Sequence, residues 1–143
     1  MSGHAKLESI ASELIQAFEI TAPPIPIESM LQNPKESMWK SVDVSQLSGT
    51  FLSIRDFYSP RMSVARMLAR HVADCEWGRN RELYQLLQVD ENNIKRFARM
   101  LVMPLEMVAE LNSASRNPTT MSLYFEVPED DARLRLQELL EFL

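Results

Sequence analysis

Residues 61–75 read RMSVARMLARHVADC. Val64, Ala65, Leu68, Ala69 and Val72 recur at alternating intervals of one and three, which predicts a helix with a single apolar stripe. Arg66 and Arg70 sit four apart on it, so they project side by side from one face. Like charges at that spacing repel unless an anion answers them. The helix is expected from about Pro60 to Glu76, with Pro60 or Arg61 in its first turn and Gly78 ending it.

Toward the C-terminus, residues 81–88 carry Leu83, Tyr84, Leu86 and Leu87 and read as a short helix. Asp90 is a good N-cap for the next one, in which Ile94, Phe97, Ala98, Leu101 and Val102 form the buried stripe. Pro104 opens a helix carrying Met107, Val108 and Leu111, and residues 119–125 form another. Pro128, followed by Glu129, Asp130 and Asp131, starts the last helix, because acids are favoured at the positive end of the helix dipole. Leu134, Leu136, Leu139, Leu140 and Leu143 are its expected apolar face. Toward the N-terminus, residues 49–54 (GTFLSI) have strand composition, with a strand pair expected across 40–58. Trp39 reads as an apolar anchor, and Ile27 to Leu31 as a short helix with Pro26 as its first residue. Leu7, Ile10, Ala11, Leu14, Ile15 and Phe18 predict an amphipathic helix over about 5–19, stopped by the proline-rich elbow at residues 22–26. The whole reads as one mostly helical α+β domain with one small sheet, spanning 1–143.

A chain of 143 residues with 45% hydrophobic and 24% charged residues suits one globular domain. No apolar run approaches the ~20 residues of a membrane span. The first residues, MSGHAKLESIA, show no signal-peptide pattern. The single cysteine, Cys75, excludes an internal disulfide and fits a reducing cytoplasm. A net charge of −5 disfavours direct nucleic-acid binding. The charge is uneven: residues 61–99 hold eight Lys/Arg against five acids, and residues 126–143 six acids against two arginines. Solvated helix faces explain this most simply. Attraction between the basic middle and the acidic tail, within the fold or between two copies, is the alternative.

Several landmarks stand in a fixed order: residues 22–31 (APPIPIESML), Gly49, residues 61–65 (RMSVA), residues 97–104 (FARMLVMP) and residues 125–128 (FEVP) before the final helix. Together they resemble the ImmA/IrrE family of metallo-endopeptidase domains, over about residues 7–140. The resemblance implies a mostly helical, zincin-like α+β domain with one small β-sheet packed against the central helix. In that family the lead-in is followed by His-Glu-x-x-His, and a third, acidic ligand precedes the FA..LLMP-like segment. Carried over, the first histidine falls on Arg66, the catalytic glutamate on Met67, the second histidine on Arg70 and the acidic ligand on Asn93. A guanidinium has no lone pair for a metal, and methionine takes no proton from water. A catalytic zinc site needs three protein ligands and an open position. The resemblance therefore implies a pseudo-enzyme without zinc, with no cofactor and no catalytic residue.

The candidate binding cleft comprises Arg66, Met67, Arg70, Asn93, Met62 and Arg96. The two arginines could hold a carboxylate of a peptide or partner, be neutralised by acids of the same domain, or face solvent. His71 and Cys75, four apart, make at most half a metal site, and His4 is a poor third ligand near a terminus. Met62, Met67, Met100, Met103 and Met107 are core filler or the lining of an adaptable groove. The expected function is a protein-binding or regulatory module. The family's usual substrates, helix-turn-helix repressors, imply a partner linked to transcription. The alternatives are a residual hydrolase using His71 and Cys75, and a structural subunit that associates with itself as a homodimer.

Overall fold

The central helix is α3 (Ser59–Asp74), with Pro60 in its first turn. A computed structural model describes residues 3–43, 58–88 and 90–143 of the chain. All five residues of the α3 stripe, Val64, Ala65, Leu68, Ala69 and Val72, are buried, and Met62 with them. Before α3 come α1 (Gly3–Ala17) and α2 (Ile27–Gln32), with Pro26 as the N-cap of α2 rather than its first helical residue. After it come α4 (Glu76–Arg79), α5 (Leu83–Leu87), α6 (Glu91–Val102), α7 (Leu105–Ala109), a 3₁₀ turn at Ser113–Ser115, α8 (Pro118–Phe125) and α9 (Glu129–Glu138).

The described residues contain no strand, so the α+β expectation gives way to an all-α fold. Helices fill the core around α3: α6 packs along it most extensively, and α2, α4 and α5 complete its surroundings. Residues 49–54, the expected strand, lie outside the described residues, as does most of the expected pair across 40–58.

Several helix ends have a local cause. The Asp90 Oδ1 accepts from the backbone N–H of Asn92 at 2.7 Å and of Asn93 at 3.3 Å, which starts α6. The Asn117 side chain accepts from Thr120 N–H at 2.8 Å, and Pro118 follows in the first turn of α8. Glu126, at φ 58, ends α8 in the left-handed region. Gly78 does not end α3. Cys75 does so, by turning extended at ψ 167. Gly78 lies inside α4, where a Cβ would stand 1.9 Å from the Val72 carbonyl oxygen. The position needs glycine for close approach of two helices, not for a left-handed turn.

The last helix turns only part of its expected face inward: Leu139 is buried and Leu136 packs partly buried against the core. Leu134, Leu140 and Leu143 are exposed, and the residues of α9 that turn inward are Ala132, Arg135 and, at its C-cap, Leu139. Arg135 is 0% exposed and Glu8, on α1, 4%. The guanidinium grips both carboxylate oxygens, at 2.5 and 2.7 Å, and its Nε donates to the Met103 carbonyl at 3.0 Å. Such a fork satisfies two buried charges together with the carbonyl at the end of α6. Met100 and Met103 are fully buried beside Phe97, and Met62 and Met107 nearly so, which makes four of the five clustered methionines core filler.

Candidate functional site

Arg61 sets the entry of α3. It donates to the carbonyls of Glu126 at 2.9 Å, Ile25 at 3.1 Å and Phe125 at 3.3 Å. Burial pushes its pKa down, and Glu28, Glu126 and Tyr58 oppose that shift. The helix so anchored carries Arg66, Met67, Arg70 and His71 toward its C-terminal half. Asp90, by capping α6, places Glu91 in a first turn opposite Arg70. Arg70 Nη2 donates to both oxygens of Glu91, the longer bond being 2.6 Å. These hydrogen bonds are the main cause that lowers the Glu91 pKa and raises that of Arg70. Lys95 and Arg66 also lower the Glu91 value.

The structure divides the six expected cleft residues. Arg66 and Arg70 lie by the first turn of α6, with Arg66 donating to Ser63 Oγ at 3.1 Å. Asn93 donates through Nδ2 to the Leu87 carbonyl at 3.1 Å, tying the end of α5 to α6. Met67 is partly buried against the core and Met62 is inside it. Arg96 belongs elsewhere. It lines a separate cleft of about 460 Å³ with His4, Leu134 and Glu138, and among the described residues its buried Nε has no hydrogen-bond partner.

A larger cleft of about 580 Å³ opens on the other flank of Arg70. Its walls are Ser37, Met38, Trp39 and Lys40 on one side, and Arg70, His71, Asp74, Cys75 and Glu76 on the other. The segment before it is held at both ends. Trp39 Nε1 donates to the Leu31 carbonyl at 3.0 Å, and Trp77 N–H donates to the Ser37 carbonyl at 2.9 Å. Phe18 stacks on Trp39 with ring centroids 6.2 Å apart. Asp74 is answered by Arg79 at 2.7 Å.

His71 and Cys75 share this cleft but are not coupled. His71 Nδ1 lies 2.9 Å from the Met67 carbonyl, and since a carbonyl only accepts, Nδ1 is the donor there. The Cys75 thiol donates to the Val72 carbonyl at 3.2 Å rather than to His71. A nucleophile activated by a base needs the opposite arrangement. Among the described residues, no three His, Cys, Asp or Glu side chains are grouped to hold a metal ion. The basic middle and the acidic tail meet within the fold, where Arg99 pairs with Glu138 at 2.5 Å and with Asp131 at 3.9 Å.

Glu91 was not among the expected cleft residues, and nor were the walls at Ser37–Lys40. Glu91 lies 21 residues from Arg70, and no helical spacing rule joins positions so far apart. Its one sequence signal is its place in the first turn after an N-cap. The fold and site together define an all-helical domain with a mixed polar and apolar cleft beside an arginine–glutamate pair. No family model, curated protein or solved structure matches the chain. No helix among the described residues is long and apolar enough to cross a membrane.

Proposed function

We propose that the chain is a non-catalytic module that binds a protein segment in the cleft between Ser37–Lys40 and α3, as a zinc-free relative of the ImmA/IrrE domains. One observation carries this reading. The positions that resemble the family's metal-binding and catalytic set hold Arg66, Met67 and Arg70, and there Arg70 is locked to Glu91 rather than presenting a ligand. A cleft of about 580 Å³ with Trp39 and Met38 beside Lys40 and Arg70 offers apolar area and hydrogen-bond donors together. That combination suits an extended or helical peptide with an acidic side chain. A regulatory partner linked to transcription follows from the family resemblance.

Elemental analysis of untagged protein is the first test, and the expected result is no zinc above background. Stoichiometric zinc would overturn the proposal and make His71 and Cys75 the residues to mutate. Binding is tested with a photo-crosslinking residue at position 40. Crosslinks should concentrate on one acidic partner segment and be lost in Arg70→Glu. Crosslinks spread over unrelated proteins, or unaffected by Arg70→Glu, would refute segment recognition. The hydrolase alternative draws no support from the His71 and Cys75 geometry.

A further inference from the structure

Arg96 stands on α6 three residues before Arg99. Side chains at that spacing share one face of a helix, and here both face α9. They fare differently there. Arg99 takes Glu138 at 2.5 Å and has Asp131 at 3.9 Å. Among the described residues, no hydrogen bond or ion pair engages Arg96. Its Nε is buried without a partner, whereas its two Nη groups are not shut off from solvent. A guanidinium partly withdrawn from water, with no counter-ion in bonding reach, carries a desolvation cost that nothing in the described domain offsets.

The cleft of about 460 Å³ around Arg96 limits what kind of anion fits. Its size suits a small molecule. Leu134 and Leu140, 40% and 78% exposed, bring apolar area to the wall. Glu138 and Glu141 line it as well. Arg99 answers Glu138, but His4, at 3.6 Å, answers Glu141 only when the imidazole is protonated. A dianion such as phosphate would meet that residual negative charge. A single carboxylate matches the single unengaged guanidinium.

We infer that the cleft between α1, α6 and the end of α9 binds a small monocarboxylate with an apolar chain. The two Nη groups of Arg96 take the carboxylate end-on, and the chain lies against Leu134 and Leu140. Two parallel N–H···O bonds fix the orientation of the acid, and the leucines favour the chain over a bare anion. This cleft shares no lining residue with the one beside Arg70, so the inference does not depend on the peptide-binding reading.

The probe is hexanoate, titrated into the full chain and followed by amide NMR. Saturable shifts are expected at His4, Arg96 and residues 134–141, with a Kd of about a millimolar or tighter. Arg96→Met should weaken binding by about tenfold to a hundredfold, the loss of a charge-assisted pair. Leu140→Ser, at an exposed position, should weaken it severalfold and is the independent check if Arg96→Met alters the thermal melt. 1-Hexanol has the chain without the charge, and inorganic phosphate the charge without the chain; each should bind about tenfold more weakly or worse. The inference is overturned by an absence of saturable shifts at these residues, by binding that is unchanged in both variants, or by hexanol or phosphate binding as tightly as hexanoate. Acetyl-Gly-Gly-Leu with a free terminal carboxylate separates the sources of the group: binding tighter than that of hexanoate would overturn a free acid as the occupant. Shifts centred on Met38 to Lys40 would place the acid in the peptide cleft and overturn this site, while the crosslinking result at position 40 stands or falls separately.

Discussion

Replacing Arg135 with methionine should be among the most damaging single changes that leave the shape of the core intact. Methionine retains part of the apolar stem but removes the guanidinium that bonds Glu8 at 2.5 and 2.7 Å and Met103 at 3.0 Å. Glu8, only 4% exposed, is then a buried carboxylate without its cation, and the Met103 carbonyl loses its donor. Removing one partner of a buried pair typically costs about 3–5 kcal/mol. A domain of this size has about 5–15 kcal/mol in total, so Arg135→Met should unfold at far lower denaturant than the parent. Glu8→Gln keeps the shape but leaves the Arg135 guanidinium buried without its counter-charge, and should also cost about 3–5 kcal/mol. The double variant Arg135→Met, Glu8→Leu leaves no buried charge and should recover most of the loss. Urea unfolding followed by far-UV circular dichroism measures all three, with the slope compared to confirm two-state behaviour. The reasoning fails if Arg135→Met costs less than about 1 kcal/mol, or if the double variant is no more stable than Arg135→Met alone.

Three further outcomes are expected. Gly78→Ala forces a Cβ to 1.9 Å from the Val72 carbonyl, so α4 must move from α3; a loss of several kcal/mol, on the order of 3 or more, should show in the thermal melt. Asp90→Ala removes the acceptor for the Asn92 and Asn93 N–H groups and should cost about 1 kcal/mol, with hydrogen exchange accelerated first in the opening turn of α6. Glu91 has a folded pKa held below the usual carboxylate range by Arg70, so its contribution is present above that range and lost as pH falls through the lowered value. Carboxyl NMR should place the Glu91 midpoint low in the parent and higher in Arg70→Met; an unchanged midpoint would show that the pair does not form in solution.

The helices were legible because their causes are local. The stripe from Val64 to Val72 and that from Ile94 to Val102 each repeat within two or three turns, and both are buried. Asp90, Pro118 and Pro128 mark helix starts through bonds or torsions a few residues away. Arg66 and Arg70 were legible as neighbours for the same reason, whereas Arg96 was grouped with them and lines a different cleft. The α+β fold class was misread because strand composition names no pairing partner in its own letters; residues 49–54 lie outside the described residues, and the described core closes with helices alone.

By itself, then, the sequence determined where most of the described helices begin and which chemistry the Arg66–Met67–Arg70 positions lack. Tertiary structure decided what those helices turn toward one another. Five leucines in and just after the last helix dominate its hydropathy pattern, yet Arg135 is inside because Glu8, 127 residues away in the chain, is there to meet it. Glu91 answers Arg70 across two helices for the same reason. Periodicity reports the apolar area of each face, while an ion pair depends on a distance through space that only the folded chain sets.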